Sequence, residues 1–117
     1  MLRNFLEIAN VKAVLSGIVV SAVVGVSPSY ARDLSAHAVF GKLDSKDHYP
    51  FVAGIIEGIA FHRYTVGGKD AVGMNCIYDW FYKDDKTLDT IYATLGRYPD
   101  YPPAAVISAL ANRKCAE

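Results

Sequence analysis

The segment from residue 52 to residue 59 reads Val-Ala-Gly-Ile-Ile-Glu-Gly-Ile. Its large aliphatic residues fall at positions i, i+3, i+4 and i+7: Val52, Ile55, Ile56 and Ile59. This spacing places all four on one face of an α-helix, because three and four residues each make about one helical turn. The pattern predicts a central helix over residues 47–64, with Pro50 tolerated in its first turn.

Two glycines lie four residues apart on this predicted helix, Gly54 and Gly58. A glycine inside a helix costs up to about 1 kcal/mol relative to alanine. Close packing of a second helix would explain why both glycines are kept. The alternative is that the helix tolerates them without any packing role. A membrane-dimer motif is not expected, because the apolar stretch is short and contains Glu57.

Shorter helical patterns flank the central one. Residues 33–40 can form a first helix with Asp33 as its cap and Gly41 at its end. Asp84 and Asp85 offer a cap for a helix reaching to about Arg97, in which apolar residues recur with helical spacing. Pro103 can occupy the first turn of a last helix, whose inward residues are Val106, Ala109 and Leu110.

Residues 65–75 contain three glycines and are predicted to form a surface loop. No segment alternates apolar and polar residues long enough to require a β-sheet. The sequence therefore predicts an all-α domain, a small bundle of three to four helices.

The first 31 residues have the composition of a signal peptide. Basic residues precede a 14-residue uncharged run at 13–26, and Ser29 and Ala31 are small residues suited to a cleavage site. Because a membrane-spanning helix needs about 20 apolar residues, cleavage is favoured over a stable membrane anchor. The predicted organisation is a signal peptide over 1–31 and one helical domain over 32–117, exported to the periplasm.

Both cysteines of the chain, Cys76 and Cys115, lie in the exported part. An exported domain reaches an oxidising compartment, where such a pair is normally joined as a disulfide. The same part carries ten Lys and Arg against eleven Asp and Glu, so charge gives no indication of nucleic acid or anionic lipid as a partner.

Aromatic residues crowd the stretch after the first cysteine: Tyr78, Trp80, Phe81 and Tyr82. They cannot all face inward from one helix or strand, so some should be exposed and bind a protein partner. Asp84 and Asp85 follow directly and could act as an acid pair, although helix capping accounts for them better.

No catalytic or metal-binding pattern is present in the sequence. The histidines, His37, His48 and His62, are scattered and lack the spacing of metal ligands. We therefore expect no enzyme activity, no metal and no cofactor.

Several short segments carry a resemblance to a known family: 51–58, Cys76, 87–88, 98–99, 103–105, 109–110 and Cys115. Together they resemble the Rap/Tai family of immunity proteins, over residues 48–115. The resemblance implies a small helical periplasmic protein that binds and blocks a cell-wall amidase toxin delivered by type VI secretion. It also implies that Gly54 and Gly58 match the family's glycine pair and that Cys76 and Cys115 match its cysteines.

The chain is also similar, more weakly, to HdeA-type acid chaperones, which are small exported helical proteins with one spanning disulfide. The expected function is a periplasmic binding protein that occludes the cleft of a partner enzyme, and the alternative is a stress chaperone or another structural periplasmic protein. The sequence leaves open whether the protein forms a homodimer. The expected partner-binding residues are Tyr78, Trp80, Tyr82, Asp84 and Asp85.

Overall fold

The computed structural model describes residues 33–116, so the predicted signal peptide over 1–31 lies outside the described residues. The described part contains five α-helices, which are α1 (Ala36–Lys42), α2 (Ser45–Val66), α3 (Val72–Tyr78), α4 (Thr87–Arg97) and α5 (Pro103–Lys114). A π-helical turn, Asp79–Lys83, continues directly from α3. The described residues form no strand, and the all-α class is confirmed.

The core is built around α2. Val52, Ile56 and Ala60 are completely buried, at the four-residue spacing that the sequence pattern predicts. One fully buried isoleucine comes from each of α3, α4 and α5: Ile77, Ile91 and Ile107. Each such side chain contributes about 1.5–3 kcal/mol on burial, so these residues add substantially to the stability of the helix packing.

The central helix starts earlier than predicted, at Ser45, with Asp44 at its N-cap. Pro50 therefore lies inside the helix and not in its first turn. A proline there cannot donate the hydrogen bond to the carbonyl four residues earlier. The helix continues through this point because its buried face, from Val52 onward, packs against the rest of the core.

The predicted loop over 65–75 is shorter in the structure. Residues 65 and 66 still belong to α2, and α3 begins at Val72. The turn between them uses left-handed backbone at Gly68 (φ 69°) and at Lys69 (φ 65°). The three glycines made this whole segment resemble a loop. Helix α3 itself has only seven residues, too few for periodicity to indicate a helix.

The start of α1 also differs from the prediction. Ser35, and not Asp33, caps it by accepting a hydrogen bond from the Ala38 N–H at 3.3 Å. The first two N–H groups of α1 donate to carbonyls of the connection between α4 and α5. Ala36 donates to the Tyr101 carbonyl at 2.8 Å and His37 to the Pro99 carbonyl at 3.0 Å. Gly41 lies inside α1 and does not end it.

The disulfide joins Cys76 of α3 to Cys115, which caps the C-terminus of α5. Their Cα atoms are 5.9 Å apart, and the bond spans 39 positions of sequence. The predicted pairing is thus confirmed. Within residues 33–116, no helix has the length and hydropathy needed to cross a membrane.

Among residues 33–116, no second helix packs closely on Gly54 or Gly58. Both residues are exposed, and a Cβ added to either would meet no atom of a neighbouring element within 4 Å. Their spacing matched a close-packing motif, but they lie on the solvent side of α2, opposite the face that carries Val52 and Ile56.

Candidate functional site

The most developed polar site on the described surface is centred on Glu57 of α2. The Tyr78 hydroxyl donates a hydrogen bond to Glu57 Oε2 at 2.8 Å, and the Tyr82 hydroxyl donates to Oε1 at 2.6 Å. Tyr78 ends α3 and Tyr82 lies in the π-helical turn, so their four-residue separation brings both side chains to the same side. One continuous stretch, 21 to 25 positions after Glu57, thus holds its carboxylate.

These hydrogen bonds change the acidity of all three groups. The pKa of Glu57 is lowered from its ordinary value, chiefly by the bond from Tyr82 and next by the bond from Tyr78. The same bond to Glu57 raises the pKa of Tyr82 to about 12 and also raises the pKa of Tyr78. Glu57 is therefore a stable anion, and each of its oxygens keeps a lone pair for a further donor.

Aromatic rings extend the site on one side of Glu57. The Tyr78 and Tyr82 rings lie 5.9 Å apart, and the Phe81 ring meets Tyr82 edge-on at 4.8 Å. Tyr49 of α2 stacks on Phe81 at 6.0 Å. Phe81 is buried in the core and anchors the group, whereas 49% of Tyr82 is exposed. We call Tyr49, Glu57, Tyr78 and Tyr82 the aromatic–carboxylate surface.

A further aromatic residue lies next to this surface. Phe61 follows Glu57 by four residues on α2, which places it one turn further along the same face. With 63% of its surface exposed, Phe61 contributes little to the core. A partner that covered it would gain apolar contact beside the carboxylate.

The structure divides the predicted partner-binding residues between two surfaces. Tyr78 and Tyr82 meet at Glu57, as described. Trp80 is partly buried against the core and, with Asp84, lines a separate depression of about 680 Å³. Asp85 is exposed. Trp80 and Asp84 therefore do not belong to the aromatic–carboxylate surface.

Asp84 shapes the chain before α4 without occupying the N-cap position. Its Oδ1 accepts a hydrogen bond from the Lys86 N–H at 3.0 Å, and Lys86 is the N-cap residue. The Thr87 hydroxyl donates to the Trp80 carbonyl at 2.6 Å, which ties the start of α4 to the π-helical turn. The prediction that Asp84 and Asp85 cap this helix is wrong, because the helix begins at Thr87.

Sequence reasoning did not identify Glu57 or Tyr49 as site residues. Their eight-residue separation places them on neighbouring parts of one helical face, which the pattern alone could have indicated. Their tyrosine partners lie more than 20 positions further along the chain, and no periodicity connects the two segments.

Arg63, near the end of α2, is a charged residue that the structure buries. Only 8% of it is exposed, and its guanidinium donates a hydrogen bond to Asn112 Oδ1 at 2.6 Å. The bond links α2 to α5. The adjacent His62 is exposed.

Among residues 33–116, no group of three or more His, Cys, Asp or Glu side chains is arranged to hold a metal ion. No protein-family model, curated protein or solved structure matches this chain. Function is therefore inferred from the described surface and from the family resemblance of the sequence.

Proposed function

We propose that this protein is a periplasmic binding protein that inhibits a partner enzyme by occluding its cleft, without catalysis of its own. The observation that best supports this proposal is the exposed Glu57 carboxylate, which accepts hydrogen bonds from Tyr78 and Tyr82. Tyr82 is 49% exposed and Tyr78 is only partly buried, so both can contact a partner. Tyrosine is also one of the residues that most often anchor protein interfaces.

The geometry supports binding because the charged group is already ordered. Two tyrosine hydroxyls already fix the carboxylate, so the Glu57 side chain loses less conformational freedom when a partner binds it. The remaining lone pairs match the paired N–H groups of an arginine, and the flanking tyrosine rings favour a cation at the same place. The expected contact on the partner is thus a basic side chain beside its cleft.

The family resemblance supplies the class of partner. Rap/Tai proteins block cell-wall amidase toxins, so the proposed partner is an amidase of that type. The disulfide between Cys76 and Cys115 supports an extracytoplasmic setting, because such bonds persist in oxidising compartments.

The test is a binding and inhibition assay between the purified domain and a cell-wall amidase encoded beside its gene. Glu57→Gln keeps the shape of the side chain and removes its charge, and Tyr82→Phe removes only a hydroxyl. Losing a hydrogen bond to a charged group should weaken binding by about tenfold to a hundredfold.

Tyr98→Phe is the matched control, since Tyr98 is also exposed but lies in the α4–α5 connection. Equal binding by Glu57→Gln and by this control would remove Glu57 from the interface. If the domain binds no amidase but suppresses aggregation of unrelated proteins in acid, the chaperone alternative replaces the inhibitor.

A further inference from the structure

A groove separate from the aromatic–carboxylate surface runs between α4 and α5 and has a volume of about 480 Å³. Its floor is apolar, formed by one side of α5 that carries Val106, Ala109 and Leu110. Small-molecule sites typically have volumes of about 300–1,000 Å³ and mainly apolar walls. The groove therefore has the size and lining of a small-ligand site.

One wall is aromatic. Tyr98 and Tyr101, from the connection between the two helices, contact each other edge-to-face with ring centres 6.1 Å apart. Tyr101 is 59% exposed. Rings held at this angle present an apolar surface to the groove while their hydroxyls can remain in water.

The charge of the groove is entirely positive. Arg97 and Arg113 line it, and no acidic residue among 33–116 does. Within these residues, neither guanidinium takes part in an ion pair or a side-chain hydrogen bond. Both arginines lie in the last turn of their helices, where a cation complements the helix dipole. That effect explains a cation at each position, but it does not supply a counter-ion.

We propose that this groove binds a free, single-chain carboxylic acid of medium length. The apolar chain lies on the floor formed by Val106, Ala109 and Leu110, and the carboxylate accepts hydrogen bonds from both Arg97 and Arg113. Arginine suits this role because its planar N–H groups match a carboxylate in pairs. Charge complementarity selects an anion over a neutral or cationic amphiphile.

The test uses decanoate as the probe, with binding to the purified domain measured by isothermal titration calorimetry below the critical micelle concentration. Decyl maltoside and decyltrimethylammonium have the same chain with a neutral and a positive head group. We expect saturable binding of decanoate and at least about tenfold weaker binding of the other two, because only the anion pairs with the arginines.

Substitutions distinguish binding in the groove from a general effect of positive charge. Arg97→Gln and Arg113→Gln should each weaken decanoate binding by about tenfold or more. Lys114→Gln is the matched control, since Lys114 also lies in the last turn of α5 but lines the depression beside Trp80. Ala109→Phe should abolish binding by filling the groove, and because Ala109 is exposed, its circular dichroism should be unchanged.

Three outcomes would overturn the proposal: no saturable binding of decanoate, equal binding of the neutral amphiphile, or an equal effect of Lys114→Gln and Arg97→Gln. Binding to vesicles of anionic phospholipid without binding to monomeric decanoate would assign the groove to membrane contact instead. Glu57→Gln should leave decanoate binding unchanged, so this test is independent of the proposed inhibitor function.

Discussion

Breaking the disulfide between Cys76 and Cys115 should lower the stability of the fold more than any other single change considered below. The bond joins α3 to the end of α5 and closes a loop of 39 positions. Reduction of the native protein opens this loop without changing any side chain other than the two thiols. We therefore expect a large loss of stability with the same helical fold.

The magnitude follows from the loop length. In the chain-entropy treatment, a cross-link closing a loop of this size stabilises the folded state by about 4 kcal/mol. A domain of this size has a net stability of about 4–13 kcal/mol, so the reduced protein should be marginal. At about 4–8 °C per kcal/mol, the melting temperature should fall by roughly 15–30 °C.

The assay is urea unfolding with and without reductant, followed by far-UV circular dichroism and by the fluorescence of Trp80, the only tryptophan in the sequence. Cys76→Ala/Cys115→Ala is the companion variant. Cys115 is buried, so this variant should lose the cross-link and some packing as well. Reduced native protein should therefore be slightly more stable than the double variant.

A difference below about 1 kcal/mol between oxidised and reduced protein would refute this reasoning. Such a result would mean that the unfolded chain is already compact enough for the cross-link to remove little entropy. A large loss in the double variant but not on reduction would assign the effect to packing around Cys115.

Three further predictions concern individual side chains. Gly54→Ala and Gly58→Ala should each stabilise the protein by about 0.5–1 kcal/mol in thermal unfolding, because both lie exposed inside α2; destabilisation would show a neighbour that the fold does not reveal. The bond between Tyr82 and Glu57 should add stability that is full below about pH 10 and is lost as the pH rises through about 12. At the acid end the same stability is lost as the pH falls through the lowered pKa of Glu57. Tyr82→Phe should reduce the alkaline loss seen in urea unfolding and leave the smaller part that comes from Tyr78, and an unchanged profile would contradict the assignment. Arg63→Met should cost about 1.5–3 kcal/mol in urea unfolding by breaking the hydrogen bond from α2 to α5, and a cost near zero would mean that methionine packing replaces the bond.

The main features of the fold could be predicted because they depend on local patterns. The spacing of Val52 and Ile56 defined the buried face of α2, and the recurrence of apolar residues before Arg97 defined α4. The cysteine pairing needed no geometry, since two cysteines allow one pair. These inferences use spacing along a single helix, or the number of cysteines together with the oxidising compartment expected for an exported domain.

Helix α3 was missed for a physical reason. A segment of seven residues with Gly73 in its first turn has little intrinsic tendency to be helical. It forms because Ile77 is buried against α2 and Cys76 is bonded to Cys115. Tertiary contact therefore decides its conformation.

The candidate site was predicted only in part. Crowding of aromatic residues indicated that some of Tyr78, Trp80 and Tyr82 are exposed, but it did not show that only Tyr82 is exposed while Tyr78 and Trp80 pack partly against the core. The difference between them depends on the rotation of α3 and the π-helical turn about their axis. Sequence pattern does not define that rotation.

The sequence by itself thus determined the helical class, the buried face of α2 and the pairing of Cys76 with Cys115. Only the tertiary structure decided that Glu57 would meet Tyr78 and Tyr82, across 21 and 25 positions of chain. The physical reason is that helix periodicity orders residues along one axis, whereas this site depends on how α3 lies against α2. That arrangement results from the turn after α2, the burial of Ile77 and the disulfide acting together.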